Sequence, residues 1–325
     1  MITFEKISYF LFFKNIISLK LMKKKIIEVS KLSKRYDGKD FYALDHIDLE
    51  IPEGSIFGLL GPNGAGKSTF INILSGLANK TSGTVKVFGI NIEKDPKTVR
   101  GNLGVVPQEI NIDPFFTPKQ IMDIQAGLYG VKKKFSRNSE ILKELDLYDK
   151  ENAYSRSLSG GMKRRLMVAK AMVHSPPILI LDEPTAGVDV ELRKKLWDSI
   201  KKLNKNGVSI ILTTHYLKEA EILCDQIAVI NHGKVIACDK KVNLLKLLDD
   251  KELIIEFNSE VKNVPEKLKK LCIKQTKSSI TLRFKKSEIS TAEIVKIFVK
   301  NKFELKEIST KESDLEDIFL KLLKN

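Results

Sequence analysis

Ser55-Ile-Phe-Gly-Leu-Leu60-Gly61-Pro62-Asn63-Gly64-Ala65-Gly66-Lys67-Ser68-Thr69 is the stretch from which the fold can be read. Residues 61–68 fit the pattern GxxxxGK[ST] in full. An apolar run precedes it. Phe70, Ile73, Leu74 and Leu77 follow with the i, i+3, i+4, i+7 period of a helix face. Strand, glycine-rich loop and helix form the context the pattern needs. The glycines let backbone N–H groups approach phosphate oxygens, and the helix N-terminus adds partial positive charge. In that geometry Lys67 reaches the β- and γ-phosphates of a nucleotide and the Ser68 hydroxyl coordinates Mg2+. Residues Gly61 to Thr69 are therefore predicted to hold a nucleoside triphosphate.

Outward from this loop the chain alternates strand and helix signals from Ile26 onward. Strands are expected at Ile26–Val29, Ile47–Ile51, Ser55–Leu60, Thr84–Phe88, Leu103–Val106, Ile178–Leu181 and Val208–Leu212. The last two are continuous apolar runs, as in central strands buried on both faces. The alternation predicts an α/β core. Between about Pro118 and Lys150 strand signals stop and a helical insertion is expected.

Ile178-Leu-Ile-Leu-Asp182-Glu183-Pro184 sets two acids at the end of a buried strand. Strand alternation would point them to opposite sides. Asp182 suits the role of holding Mg2+, and Glu183 that of polarising the attacking water. The bland alternative is a pair of acids that caps a strand and opens a loop.

Leu158-Ser159-Gly160-Gly161-Met162 lies about 20 residues before that pair. Taken alone, Ser159 could simply cap a helix with Met162, Leu166, Ala169 and Val173 on one face. Together the elements resemble the ATP-binding cassette (ABC) superfamily, whose signature is LSGGQ. Further matches follow in family order. Tyr36, 25 residues before Gly61, resembles the aromatic that stacks on adenine, with Tyr42 as its competitor. Gln108 in Val-Val-Pro-Gln108-Glu resembles the Q-loop. Ala186-Gly-Val-Asp189 resembles the D-loop, and His215 in Leu-Thr-Thr-His215 the switch histidine. The likeness covers about residues 25–245. Tyr36 and His215 also have bland readings, as a core aromatic and a residue closing a strand.

The resemblance implies roles at these positions only. Ser159, Gly160 and Gly161 would meet the γ-phosphate bound by a second protomer, and Asp189 would communicate across that dimer. Gln108 would touch the metal and the water and sense a membrane subunit, and His215 would contact the γ-phosphate. Met162 stands where the signature has Gln, and Ala186-Gly187 where the D-loop commonly has Ser-Ala. Both departures, with Gly-Gly-Met-Lys-Arg-Arg and the tail phrase Asp314-Leu-Glu-Asp-Ile-Phe319, are similar to the drug-exporter and nodulation-type branch. The basic run Lys163-Arg164-Arg165 reads as a solvated helix face.

The implied function is an ATP-hydrolysing subunit that works as a homodimer, or paired with a second ABC subunit. It would drive a separate integral membrane permease from the cytoplasmic face. The helical segment, about residues 109–158, is the expected docking face, and no nucleic-acid partner is expected. A second class is a non-transport ABC ATPase acting on DNA or the ribosome. DNA-repair types place long coiled coil between the two nucleotide motifs. Ser68 and Asp182 stand 114 positions apart with no heptad run. Translation types carry two cassettes, and one GKS is found. A nucleotide-gated regulator without turnover is a third class, which Glu183 argues against.

Composition bounds the rest. The chain has 325 residues, 42% hydrophobic and 30% charged, with 18 Gly and 10 Pro. That excludes disordered and collagen-like classes and suggests about two domains. The net charge of +15 is concentrated towards the two ends, which could meet anionic lipid or nucleic acid or be a solvated surface. Cys224, Cys238 and Cys272 form no CxxC pair, so a reduced, cytosolic protein is expected. Residues 1–24 form an extension. Its apolar stretch Ile7–Phe13, interrupted by Lys14 and Lys20, reads either as an interfacial anchor or as foreign to a protein that begins at Met22. No apolar run reaches the ~18 residues of a membrane span. Residues 25–240 are expected to be the ATP-binding domain. Residues 241–325 change pattern and predict a small accessory α+β domain, with a ferredoxin-like order as one candidate. Leu253, Ile255 and Phe257, and Ile280, Leu282 and Phe284, alternate with polar residues. Capping boxes are expected at Ser290–Glu293 and Ser313–Glu316, the second ahead of Leu315, Ile318, Phe319 and Leu322.

Overall fold

The structure, a computed structural model, describes residues 24–246, 250–261, 263–312, 315–316 and 318–319. The N-terminal apolar stretch, the start of the second capping box and Leu322 lie outside the described residues. The chain divides into two compact units, Met1–Cys238 and Asp239–Asn325.

The first unit holds strands β1 (Lys25–Lys34), β2 (Leu44–Pro52), β3 (Ile56–Leu60), β4 (Ser82–Val87) and β5 (Ile90–Asn91). These are followed by β6 (Leu103–Val106), β7 (Ile178–Asp182), β8 (Ser209–Thr214), β9 (Gln226–Asn231) and β10 (Lys234–Lys240). Its helices are α1 (Lys67–Leu74), α2 (Pro96–Gly101), α3 (Pro118–Leu128), α4 (Asn138–Glu144), α5 (Gly160–Met172), α6 (Val190–Lys205) and α7 (Leu217–Leu223).

The strands form two sheets rather than one. An antiparallel sheet has the order β2-β1-β4-β5, and a six-stranded sheet the order β10-β9-β3-β8-β7-β6. In the larger sheet β3 is parallel to β8 and β9, β7 to β8, and β6 to β7. All residues of β3, β7 and β8 are buried, which accounts for their unbroken apolar runs. Strands β5, β9 and β10 were not expected from the sequence.

Parallel strands end on one edge of their sheet, and ligands bind at that edge in α/β folds. Here it gathers the glycine-rich loop after β3, Gln108 after β6, Asp182 and Glu183 at the end of β7, and His215 after β8.

The helix after the loop is shorter than its spacing predicts. Phe70, Ile73 and Leu74 are buried, but Leu77 is 78% exposed. Gly76 takes φ +76°, and the Leu77 N–H donates to the Asn72 carbonyl (2.8 Å) and the Gly76 N–H to that of Ile73 (3.2 Å). These are the paired bonds of a Schellman stop, for which glycine carries no Cβ penalty. Leu77 therefore continues the period without continuing the helix.

The basic run on α5 is a second correction. Arg164 and Arg165 are buried, with 3% and 7% exposure. Arg165 Nη1 donates to the carbonyls of Leu145 (2.7 Å) and Asp146 (3.2 Å), and so ties α5 to the end of α4. Helix α5 is covered on several faces, so these two guanidinium groups meet backbone carbonyls rather than water.

The second unit contains α8 (Lys241–Lys246), β11 (Asp250–Phe257), a 3-10 turn at Glu266–Leu271, β12 (Cys272–Gln275), β13 (Ser279–Lys285), α9 (Thr291–Lys300) and β14 (Leu305–Glu312). Its sheet is antiparallel in the order β12-β13-β11-β14. That is the ferredoxin-like order, with the 3-10 turn in place of the first helix. Leu253, Ile255, Phe257, Ile280, Leu282 and Phe284 are all buried in one core with Ile294 and Phe298 of α9. Ser290 and Glu293 make both bonds of the capping box. Leu315 and Ile318 are buried.

Candidate functional site

The glycine-rich loop turns from β3 into α1 at Gly66, which takes φ +112°. A Cβ there would also lie 2.4 Å from the Ala43 carbonyl oxygen. Conformation and space both require glycine, and the result is a loop whose N–H groups open onto a cleft of about 280 Å³. Asn63, Gly64, Gly66, Lys67, Ser68 and Thr69 line one wall, Gln108 and Glu183 another, and Phe41 and Ala43 complete it. The Ala65 N–H donates to the Pro62 carbonyl at 3.2 Å.

Lys67 is 5% exposed. Its ammonium donates to the carbonyls of Gly61 (2.8 Å) and Pro62 (3.1 Å) and lies 3.5 Å from Glu183 Oε1. Burial holds its pKa below the ordinary lysine value, although the Glu183 charge opposes that shift.

Glu183 is the hub. Its Oε2 lies 3.0 Å from His215 Nδ1 and accepts from Gln108 Nε2 at 3.3 Å. Three elements that are distant in sequence thus converge on one buried carboxylate. Strand alternation does not set its direction, contrary to the expectation. Strand β7 ends at Asp182, and Glu183 takes φ +45°. Its N–H donates to Thr213 Oγ1 (3.0 Å) and to the Thr213 carbonyl (3.1 Å). The Thr213 hydroxyl in turn donates to Asp182 Oδ1. A non-glycine residue in the left-handed region is held there only when its surroundings overdetermine it, as this pairing does.

Gln108 is placed by α5. Arg164 donates from Nη1 to the Pro107 carbonyl (3.0 Å) and from Nη2 to that of Gln108 (2.8 Å). Burial lowers the Arg164 pKa, and the two carbonyls take its charge-assisted bonds. Thr213 and Arg164 are site-building residues that sequence reasoning passed over. Only their neighbourhood, one beside His215 and one inside a basic run, could have signalled them.

The other predicted residues lie outside the cleft lining. Ser159 caps α5 by accepting from the Met162 N–H at 3.3 Å. Gly160 and Gly161 open that helix, and a Cβ on Gly161 would meet Leu192 Cδ1 of α6 at 2.8 Å. Asp189 caps α6, accepting from the Leu192 N–H at 2.9 Å. Tyr36 is 39% exposed, with the Lys34 ammonium 4.6 Å from its ring centroid. The aromatic that lines the cleft is Phe41, 64% exposed. Tyr36 and Tyr42 are not among the residues that line this cleft.

An ABC transporter family model matches residues 44–186. Over 305 residues the chain is 32% identical to the daunorubicin resistance ATP-binding protein DrrA2 of Streptomyces coeruleorubidus, covering 91% of this chain and 94% of that protein. The chain belongs to the ABC transporter family. It is an ATP-binding, ATP-hydrolysing cassette of the exporter class, in the drug-export and nodulation branch. The Nod factor export ATP-binding protein I of Cupriavidus metallidurans is 40% identical over 222 residues, 68% of this cassette and 73% of that protein. ABC transporter A family member 7 of Dictyostelium discoideum is 37% identical over 314 residues, and the cassette spans 37% of its length. Among solved structures, a dimeric post-hydrolysis ATP-binding cassette bound to ADP and phosphate superposes with a TM-score of 0.58 at 28% identity. It covers 66% of this chain and 98% of that one.

Proposed function

We propose that two copies of the cassette, or one copy and a related subunit, enclose two ATP·Mg2+ between them and power a separate membrane permease. The observation that carries this reading is the convergence of Lys67, Gln108 and His215 on Glu183 at the mouth of a phosphate-cradling loop. The donor set suits a triphosphate with a divalent cation: open backbone N–H groups, one ammonium, a hydroxyl at Ser68 and the carboxylate of Asp182. Ser68, Asp182 and Gln108 would hold Mg2+, which when bound supplies positive charge to the phosphate oxygens. Lys67 turns from the Gly61 and Pro62 carbonyls towards the β- and γ-phosphates. Glu183 accepts the proton of the attacking water at a carboxylate oxygen, and His215 and Gln108 hold that carboxylate in place. Tyr36 or Phe41 offers a ring to the adenine.

Ser159, Gly160, Gly161 and Asp189 stand outside the cleft lining, so in this reading they serve the nucleotide of the second protomer. The permease docks beside Gln108, in a groove lined by Val105, Pro107, Tyr129 and Met167. Exposed Phe115, Ile124 and Leu128 in the same helical segment offer it apolar surface. No described helix is long and apolar enough to cross a membrane. A place on the inner face of the membrane, held by the permease, follows from the reading. Residues 241–325 act as an accessory domain.

Glu183→Gln tests the chemistry. Its amide cannot accept the proton of the water, so turnover should fall by about 10²–10⁴-fold while ATP binding persists and ATP traps a dimer visible by sedimentation. Phosphate release at the wild-type rate would remove Glu183 from the base role.

A further inference from the structure

His215 does not stand alone beside Glu183. The ring of Tyr216 lies against it, with centroids 4.1 Å apart and planes tilted by 36°. The Arg193 guanidinium covers Tyr216, its Cζ 4.9 Å from the ring centroid. Arg193 Nη2 also donates to the Val188 carbonyl at 3.1 Å, inside Ala186-Gly-Val-Asp189. A chain of contacts therefore runs from Glu183 through His215, Tyr216 and Arg193 to the loop that starts α6.

The two helices involved are pinned one turn further on. Trp197 Nε1 of α6 donates to Glu219 Oε1 of α7 at 2.9 Å, and Glu219 has no exposed surface. The Arg193 charge also acts on this buried carboxylate. Arg193 Nε is buried without a hydrogen-bond partner among the described residues, which costs free energy. The hydrogen bond to Val188 alone does not explain where the guanidinium sits; that bond together with the contact on the Tyr216 ring does.

We infer that Arg193 and Tyr216 are positioning residues: the stacked guanidinium and ring set the orientation of His215 and tie it to the 186–189 loop. A displacement of that loop reaches the carboxylate through three side chains. The inference rests on the proposed role of His215. It adds that His215 is placed from α6 rather than by its own strand alone.

The test is a double-mutant cycle on the full chain, with kcat, KM and ATP affinity measured separately. Arg193→Met and Tyr216→Leu should each lower kcat about three- to thirtyfold, the rate equivalent of losing a contact of cation–π strength. KM and ATP affinity should stay within about twofold, because the phosphate loop is untouched. Tyr216→Phe keeps the ring and should turn over like wild type. Arg193→Lys keeps a charge but not the fork, and should fall between wild type and Arg193→Met. It also serves if Arg193→Met does not fold. In a His215→Ala background neither Arg193→Met nor Tyr216→Leu should cost more, since the group they orient is gone. Losses that multiply independently of His215→Ala, or wild-type kcat in Tyr216→Leu, would overturn the inference. Wild-type turnover by His215→Ala itself would instead remove the role of His215 on which the inference stands.

Discussion

The first unit buries charged side chains and, among the described residues, the second does not. Among the described residues, the buried polar and charged side chains, including Lys67, Arg164, Arg165, Asp182, Glu183 and Glu219, all lie before Cys238. The second unit is cored by Leu253, Ile255, Phe257, Ile280, Leu282, Phe284, Ile294 and Phe298. Desolvating a charge costs several kcal/mol unless partners repay it. Where those charges gather at the cleft, at Lys67, Asp182 and Glu183, the fold is spending stability on chemistry. The second unit has local preference, alternation and capping all in agreement, as a sequence selected for folding alone would.

The strongest way to break that contrast is to open the apolar core. Phe298 of α9 is fully buried and meets the rings of Phe257 and Phe303, with centroids 5.4 Å away in each case. Phe298→Ala should cost the second unit about 3–5 kcal/mol. Thermal melting should show that unit unfolding early, while ATP affinity stays within about twofold. Loss of nucleotide binding would show that the two units do not fold as separate bodies.

A smaller effect should separate the two buried arginines of α5. Arg165→Met leaves the carbonyls of Leu145 and Asp146 without their donor, at about 1–3 kcal/mol of stability, with kcat unchanged. Arg164→Met should cost a similar amount and also lower kcat, because Arg164 holds the Pro107 and Gln108 backbone. Denaturant titration and phosphate release measure the two quantities. Equal kcat in both variants would mean that Gln108 needs no such support.

What could be read from the sequence follows the same divide. Strands β7 and β8 were visible because burial on both faces leaves an unbroken apolar run. The alternating strands of the second unit were visible because one face of their sheet is covered. The cleft was visible because phosphate chemistry constrains residue type at close spacing, from Gly61 to Ser68. The contacts that position it were not. Arg164 looks like any solvated cation until its helix is seen to be covered, and Glu183 looks like a strand residue until its φ is known. Phe41 reaches the cleft by the course of a loop, which no periodicity records. Strand β9 carries Ile227-Ala-Val-Ile230, as clear an apolar run as β6, but no nucleotide motif stands at its end. The helix period ran past its end at Leu77 because hydrophobicity does not report a glycine stop.

A local change should test the consistency of the second unit at its surface. Ser290→Ala removes the side-chain acceptor of the Glu293 N–H (3.2 Å), leaving it the backbone carbonyl of residue 290 (3.1 Å), and leaves Glu293 Oε2 only the backbone N–H of residue 290 (2.9 Å). A lost cap costs about 1 kcal/mol. The melting temperature of the second unit should fall by a few degrees and ATPase activity should not change. A larger fall would mean that α9 depends more on its cap than on Ile294 and Phe298.

The smallest effect should appear as a slope with pH rather than an offset, and only in the first unit, which holds all four histidines. His174 stacks on Tyr129 with centroids 3.8 Å apart and planes within 4°. Its Nε2–H donates to the Leu103 carbonyl at 3.1 Å, and its Nδ1 is buried without a hydrogen-bond partner among the described residues. A second proton would place charge on that Nδ1, so burial lowers the pKa, with the Leu103 bond opposing. In the unfolded chain the imidazole titrates near ~6.5. Between that value and the lower folded one the unfolded chain binds more protons, so stability increases with pH across the window. The stabilisation is complete above about pH 6.5 and is lost as pH falls towards the folded pKa. His174→Phe keeps an aromatic face for Tyr129 and removes the titration. Denaturant midpoints between about pH 5.5 and 7.5 should fall on acidification for the wild-type first unit. The fall should be shallower for His174→Phe, and the second unit should show no histidine-linked slope. An unchanged slope in His174→Phe would remove His174 as the source of the effect.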